Sequence, residues 1–317
     1  MQPEALPPKE RALLDAARTN DLAKLKEMLL LGAVVDARDN LEMPWGQTSL
    51  MYAAQNGNEE MVRLLINHGA DITAKDEAPP GEGGGQQPLH YAMRSQNTAV
   101  ARTLLDVAEK LDAKILDKAD KCGSTPLDIA IERGNSEGIR TLVQRGLDLR
   151  KKPKTKRFEP PLYTAARSGN VEIVKLLLES GADVNAVNEL GQTSLHCAAT
   201  LKSEAADQMV EILLQAGADS ERVDNSGDTP LLNALLYKNC ALFRKLSKAG
   251  ASLNRVLKEQ DATLLDMAEK RMNKAKITME SPSEPEWARK ESKTSYSEWK
   301  SIFDLLLELG AKRKTEI

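Results

Sequence analysis

The sequence predicts an all-α solenoid built from stacked helix–turn–helix units, and three observations predict it. An alanine opens a helical pattern every 33 to 39 residues, and a period of this size is typical of repeat architectures. A glycine ends the second helical pattern of most units. Aromatic residues make up only 3% of the chain, so Leu and Ala must form the interior. The recurring alanines are Ala16, Ala53, Ala92, Ala130, Ala165, Ala198, Ala234 and Ala268.

Each unit is predicted to begin with a short first helix. Thr125-Pro126-Leu127 and Thr229-Pro230-Leu231 place a hydroxyl residue, a proline and a leucine in the order typical of a helix N-terminus. Paired alanines such as Ala165-Ala166 remove side-chain bulk. We therefore expect neighbouring first helices to approach closely.

A second, amphipathic helix is predicted after a Gly-Asn turn such as Gly169-Asn170. The apolar spacing within residues 173–177 is that of a helix with one buried face. The third unit has no glycine after its second helix, so we expect a longer helix or an irregular exit there. In the other units the helix ends at a glycine that accepts a left-handed conformation, namely Gly32, Gly69, Gly146, Gly181, Gly217, Gly250 and Gly310.

The clearest unit, residues 161–186, resembles the ankyrin repeat, whose signature is Thr-Pro-Leu-His-x-Ala. The resemblance covers residues 10–311 as about eight repeats. It leaves residues 1–9 as an N-terminal tail and residues 312–317 as a basic C-terminal tail. It implies β-hairpin fingers that project between the repeats, and a concave groove, lined by fingers and first helices, that holds another protein.

Composition argues against several other classes. The net charge is −3, so no overall field favours nucleic acid or membrane. The apolar runs are too short to span a bilayer, and the N-terminus lacks a signal pattern. Three cysteines lie in three different repeats, which argues against a disulfide framework. We expect a protein of the cytoplasm or the nucleus that is monomeric in isolation.

No catalytic, metal or cofactor site is predicted. His90 and His196 follow the repeat leucine, where the family often carries a histidine that hydrogen-bonds the neighbouring hairpin. A catalytic or metal role is the weaker alternative, because no cysteine or acid stands at ligand spacing. Residues 81–85 are rich in glycine, but no phosphate-binding motif follows them.

Four insertions interrupt the repeat pattern. The first, between Asp39 and Thr48, carries Trp45, which either packs on the stack or anchors a partner. Residues 77–87 have the composition of a mobile spacer, and residues 201–208 form a small third insertion. The largest, residues 273–295 in the last repeat, is highly charged and is predicted to be partly disordered. Ser281 precedes a proline there and is a candidate phosphorylation site, with an unmodified linker as the alternative.

The strongest electrostatic feature is the basic finger, residues 150–157. Seven cations and one acid occupy residues 145–157, and Phe158 follows. The run suits a nuclear-import signal, or a grip on an acidic segment or nucleic acid. A solvated loop is an equally good interpretation.

In the family, partner contacts fall at the finger tips and just after the alanine pair. We therefore expect a protein with an acidic surface to bind in the groove, and an adaptor, stoichiometric regulator or assembly chaperone that acts by occupancy. The alternative is a nucleic-acid-associated or nuclear-imported protein that uses the basic finger. Asn185 also resembles the asparagine that is hydroxylated in some ankyrin repeats. Of the contact residues, we expect Arg133, Arg157, Arg167 and Tyr237 to contribute most. The full predicted set is Trp45, Gln47, Gln55, Asn56, Arg94, Ser95, Lys121, Ser124, Glu132, Arg133, Lys154, Lys156, Arg157, Phe158, Arg167, Ser168, Glu189, Gln192, Asp228, Leu236 and Tyr237.

Overall fold

The computed structural model describes residues 6–39, 46–79, 84–95, 97–111, 114–151, 159–257 and 261–317. Within these ranges the regular structure is helical, with sixteen α-helices and a short 3-10 helix at Lys314–Glu316. The α-helices are α1 (Pro8–Arg18), α2 (Leu22–Leu30), α3 (Ser49–Asn56), α4 (Glu59–Asn67), α5 (Pro88–Arg94), α6 (Thr98–Lys110), α7 (Pro126–Glu132), α8 (Ser136–Gln144), α9 (Pro161–Arg167), α10 (Val171–Glu179), α11 (Ser194–Thr200), α12 (Glu204–Gln215), α13 (Pro230–Leu236), α14 (Cys240–Lys248), α15 (Leu264–Glu280) and α16 (Glu286–Glu308).

The chain divides into two compact units, Met1–Thr164 and Ala165–Ile317. In the first unit, α1, α3, α5 and α7 pack side by side in one layer, and α2, α4, α6 and α8 form the second layer. In the second unit, α11 packs on α13, α12 packs between α10 and α14, and α15 pairs with α16. The predicted all-α repeat architecture is confirmed.

The recurring alanines mark the first helices. All eight lie in a first helix, and each is at most 3% exposed. A larger side chain at these positions would hold neighbouring first helices apart. The alanines that recur with the repeat period are therefore the residues at which neighbouring first helices pack closely.

The helix ends also follow the predicted pattern. The seven capping glycines have φ between 75° and 95°, the region that glycine accepts without a steric penalty. The third unit, which lacks this glycine, has a second helix of thirteen residues, whereas α4 and α8 have nine. The predicted longer helix is confirmed.

The segments between repeats form compact fingers that close with one backbone hydrogen bond. The amide of Asp120 donates to the carbonyl of Ser124 over 2.9 Å, and that of Asp224 to Asp228 over 2.9 Å. The two fingers with insertions keep the same bond, from Asp39 to Gln47 and from Asp76 to Gln86. In the described ranges the β-structure is limited to isolated bridges, Arg38 with Thr48 and Leu257 with Ala262. These fingers are therefore tight turns and loops with little strand character.

The prediction of partial disorder in residues 273–295 is wrong. Helix α15 continues to Glu280 and α16 begins at Glu286, so helical structure occupies most of the insertion. The segment is rich in Lys and Glu, which favour helix, and Ala275 is buried. Proline directly before α16 fixes an extended backbone at the helix start.

Candidate partner-binding surface

The C-terminal ends of the first helices carry many of the predicted contact residues. In the first unit, α3, α5 and α7 lie next to one another. Their ends present Gln55, Glu132 and Arg133 as exposed side chains and Arg94 as a half-buried one. The fully buried alanine pair precedes this end in α3, so exposure begins where close helix packing stops. We call Gln55, Asn56, Arg94, Glu132 and Arg133 the inner row of the first unit.

The second unit presents a corresponding set. Arg167 and Ser168 are exposed at the end of α9. Leu236 is half-buried at the end of α13, and Tyr237 is 50% exposed. An exposed tyrosine beside a half-buried leucine gives this end an apolar character that the first unit's row lacks. We call Arg167, Ser168, Leu236 and Tyr237 the inner row of the second unit.

Asn56 has a structural bond within the inner row. Its side-chain amide donates to the carbonyl oxygen of Ala17 over 2.9 Å and to that of Arg18 over 3.3 Å. These carbonyls lie in the last turn of α1. The amide therefore joins the first two repeats, and the family pattern alone did not reveal this role.

Arg94 is held by its own unit. Its guanidinium donates to Oε1 of Gln86 over 2.6 Å and lies 4.9 Å from the ring centroid of Tyr91. Gln86 is 3% exposed, and its amide donates to the carboxylate of Asp120 over 2.9 Å. The position of Arg94 is thus set by a polar chain that runs through two fingers.

Tyr91 is the centre of the same buried network. Its hydroxyl donates to Oδ2 of Asp76 over 2.6 Å and accepts a bond from the amide of Gln47 over 2.9 Å. Burial, with the Asp76 carboxylate in second place, raises the pKa of Tyr91, so the phenol stays neutral. Gln47, a predicted contact residue, is therefore engaged inside the unit. The sequence signals that could have indicated this network are the acid in the finger, Asp76, and the tyrosine directly after the repeat histidine, Tyr91.

Both repeat histidines join neighbouring repeats. Nδ1 of His90 accepts from the backbone N–H of Gln87 over 3.1 Å, and its Nε2 lies 3.3 Å from the carbonyl oxygen of Ser124. His196 makes the equivalent contacts with Thr193 and, over 3.1 Å, with Asp228. Burial lowers the pKa of both rings, so each is a neutral imidazole. This is the structural role that the resemblance implied.

The finger residues divide between internal and exposed positions. Gln192 donates to Asp224 over 3.3 Å, and the amide of Asp228 donates to the same carboxylate over 3.0 Å. Lys121 donates to the carbonyl of Ala78 over 3.0 Å. Glu189 is exposed. Gln192 and Asp228 thus contribute to finger structure as well as to the surface.

The two candidate modification residues are both partly covered. Asn185 is half-buried, and its side chain donates to the carbonyl of Gly217 over 3.2 Å and accepts from the amide of Asp219 over 2.8 Å. Ser281 is the C-cap of α15, and its hydroxyl lies 2.8 Å from that of Ser283.

Several predicted residues, namely Trp45, Lys154, Lys156, Arg157 and Phe158, lie outside the described residues. Lys151, at the start of the basic finger, is described, and its ammonium pairs with the carboxylate of Asp117. At least one charge of the finger is therefore matched within the first unit.

A cavity of about 430 Å³ lies beside the extended helix α6, and the sequence did not predict it. Leu105, Ala108, Ile115 and Leu147 provide its apolar wall, and Arg145 is among its polar lining residues. Arg145 forms ion pairs with Asp106 and Glu109.

In the described ranges no group of His, Cys, Asp and Glu is arranged to hold a metal ion. No helix among those described combines the length and apolar character needed to cross a bilayer.

Comparisons with curated proteins find relatives that share part of the chain. A putative palmitoyltransferase, ZDHHC13, of Danio rerio is 32% identical over 200 residues, which is 62% of this chain and 29% of the relative. The B-cell lymphoma 3 protein homolog of Mus musculus is 32% identical over 165 residues, which is 52% of this chain and 34% of the relative. The chain thus spans about a third of the length of these two curated relatives.

Two solved ankyrin repeat domains share the fold. That of Bcl-3, described as a unique member of the IkappaB protein family, has a TM-score of 0.58 and 29% identity. The alignment covers 70% of this chain and 93% of that domain. The human ASB11 domain has a TM-score of 0.61 and 24% identity, with 75% and 96% covered, and at this identity it supports the fold alone. The family model described as "Ankyrin repeats (3 copies)" matches residues 13–115, 83–153, 107–188 and 162–256. Because these matches cover most of the chain, it belongs to the ankyrin repeat family.

Proposed function

We propose that this ankyrin repeat protein binds another protein through the inner rows of its two units. It acts by occupancy, as an adaptor, a stoichiometric regulator or an assembly chaperone. The fold is an interaction scaffold, and this coarser role follows from the family. The palmitoyl transfer named for the zebrafish relative belongs to a protein of which the chain matches 29%, and it is no part of the proposal.

The observation that carries the proposal is the exposure at the first-helix ends. At the end of α7, Glu132 and Arg133 are exposed directly after Ala130 and Ile131, which are at most 1% exposed. Tyr237 is half exposed two residues after Leu235, which is 1% exposed. Arg and Tyr are among the residue types that dominate binding energy at interfaces. These side chains are held on rigid helices, so a partner meets a prepared surface.

The partner is expected to have an acidic surface. Arg133 and Arg167 are exposed cations of the two inner rows, and the basic finger supplies more within residues 150–157. Complementary charge increases the association rate and selects against the wrong partners. Lys151 has an internal partner in Asp117, so residues 154–157 are the relevant part of the finger.

Affinity purification of the full chain from its native source tests the proposal. We compare the wild type with Arg133→Glu and with a triple variant, Lys154→Glu, Lys156→Glu and Arg157→Glu. Arg140→Glu is the matched control, because Arg140 is an exposed arginine of α8 in the second-helix layer of the same unit.

The proposal expects one partner whose recovery falls in Arg133→Glu and in the triple variant but is unchanged in Arg140→Glu. The triple variant should also flatten the dependence of affinity on salt, because removed cations no longer attract the partner. Equal recovery of the partner with all variants would show that the inner row does not bind it. Retention of RNA or DNA with a steep salt slope would favour the nucleic-acid alternative.

A further inference from the structure

The last helix pair is much longer than the pair before it. Helix α15 has 17 residues and α16 has 23, whereas α13 has seven and α14 has nine. At 1.5 Å per residue the extra length is about 15 Å for α15 and about 21 Å for α16. We call residues 270–295, which contain this extra length, the helical arm.

The arm contributes little to a core. Ala275 is its buried residue, and the other positions are half-buried or exposed. Two large apolar side chains, Ile277 and Trp287, are each 70% exposed. Trp299, outside the arm on the same helix, is 4% exposed and lies against the guanidinium of Arg271 at 5.3 Å. A tryptophan is usually mostly buried, so the exposure of Trp287 needs an explanation other than folding.

Charge is distributed unevenly along the arm. It carries seven basic and four acidic residues, which leaves 37 basic and 43 acidic residues in the rest of the chain. The basic residues lie on the shafts, at 270, 271, 274 and 276 on α15 and at 289, 290 and 293 on α16. Three acids, Glu280, Glu284 and Glu286, lie around the turn next to Trp287. Between described residues, no ion pair uses a cation of the arm.

We infer that the helical arm is a second docking element, which inserts Trp287 into an apolar pocket of a partner protein. The charge pattern defines the chemistry of that partner. The pocket has a basic rim that receives the acidic turn, and the adjoining surface is acidic and receives the basic shafts. This inference is independent of the inner rows, because the arm lies outside them and substitutions in the arm leave them unchanged.

A folded protein surface suits the arm better than a lipid bilayer. Anionic lipid would attract the basic shafts but repel Glu284 and Glu286, which precede the tryptophan at the turn. A second copy of the chain that paired with it arm to arm would bring two basic shafts together and repel in the same way. A protein can match both signs of charge at once, and a buried tryptophan is a frequent anchor of such interfaces.

The test selects a displayed library of random peptides on the immobilised full chain, with counter-selection on Trp287→Ser. Leu190→Ser is the matched control, because Leu190 is a 61% exposed apolar residue in a finger of the same unit. Trp287→Phe tests rescue by another aromatic side chain, and Lys274→Glu with Lys276→Glu tests the shaft. Circular dichroism and urea midpoints equal to the wild type show that each variant folds.

We expect enriched peptides that combine apolar residues with basic residues, which match the acidic turn, and with acidic residues, which match the basic shafts. Their Kd should rise about tenfold or more in Trp287→Ser, rise several-fold in the shaft variant, and change less than about twofold in Leu190→Ser and Trp287→Phe. No enrichment after counter-selection, or the same Kd in Trp287→Ser as in the wild type, overturns it. Trp287-dependent binding to phosphatidylcholine–phosphatidylserine vesicles, or Trp287-dependent dimerisation in sedimentation, overturns it in favour of a membrane or a second copy.

Discussion

The side-chain amide of Asn135 donates a 2.9 Å hydrogen bond to the carbonyl oxygen of Ser95, across the boundary between two repeats. The same amide also lies 3.1 Å from the carbonyl of Met93, and Oδ1 accepts from the amide of Gly138. One side chain therefore caps α8 and holds the end of α5. Asn97 and Asn239 make the equivalent bonds to Gly57 and Leu201, both over 2.7 Å. The asparagine that caps the second helix is thus a repeated link between neighbouring repeats.

Asn135→Ala should lower the free energy of unfolding by about 2 to 3 kcal/mol, because it removes a helix cap and leaves buried carbonyls without a donor. Asn58→Ala is the matched control. Asn58 also caps its helix, but its amide bonds the exposed side chain of Asn20. We expect a loss of about 1 kcal/mol there. Urea unfolding of the two variants measures the difference, and equal losses would show that the bonds of Asn135 to the carbonyls of Met93 and Ser95 contribute nothing.

Gly191→Ala should disturb the contact between two fingers. Gly191 has φ of 76°, and a Cβ there would lie 2.9 Å from the backbone nitrogen of Asn225. Gly169 has φ of 73°, but a Cβ there would have no atom within 4 Å. Gly169→Ala therefore measures the cost of backbone strain without a steric clash. We expect about 1 kcal/mol of destabilisation for Gly169→Ala and about 2 kcal/mol or more for Gly191→Ala. If thermal unfolding shows the same loss for both, the fingers are not tightly packed.

Stability should fall as the pH drops below about 6.5, because His90 and His196 are buried as neutral rings with lowered pKa values. The unfolded chain binds a proton on each ring near pH 6.5, whereas the folded chain binds it only at lower pH. The stabilisation is therefore complete above pH 6.5 and is lost as the pH falls toward the folded pKa. Each histidine accounts for up to about 1.4 kcal/mol between pH 7.5 and 5.5.

Urea unfolding at these two pH values checks this expectation. His90→Gln and His196→Gln should each reduce the difference between the two pH values, whatever their effect on stability at pH 7.5. His68→Gln is the control, because His68 is exposed. An unchanged pH dependence in both buried-histidine variants would contradict the assignment.

Tyr91→Phe should destabilise the first unit by about 1 to 3 kcal/mol, because Asp76 and Gln47 both lose a buried partner. Tyr237→Phe, at an exposed tyrosine of the second unit, should change stability by less than about 0.5 kcal/mol. Denaturant midpoints measure both. A neutral Tyr91→Phe would mean that the network around Asp76 is dispensable.

Much of the fold could be predicted because each repeat carries its own packing signals. Ala53 and Ala165 are fully buried in first helices, and Gly181 has the left-handed conformation that its place after a helix suggested. The absence of such a glycine after α6 predicted its extension. These are local rules, which a single sequence records directly.

Features that depend on a neighbouring repeat were harder to predict. The network joins Asp76 and Gln86 of one finger to Tyr91 of α5 and to Asp120 of the next finger, and no local pattern shows that they meet. The helical arm was mistaken for partial disorder because its two helices cover mainly each other. The high charge correctly indicated that the arm is exposed to solvent, but it wrongly indicated that its backbone is irregular. The partner-contact predictions came from the family, and no contact in the structure tests them.

Hydrogen–deuterium exchange of the full chain, with and without its purified partner, tests whether the inner rows bind that partner. We expect slowed exchange at the first-helix ends, at residues 55–57, 94–95 and 132–134 in the first unit and 167–169 and 236–238 in the second. Exchange in the second helices α8 and α12 should be unchanged. Protection confined to the second helices, with the first-helix ends exchanging as in the isolated chain, would contradict it.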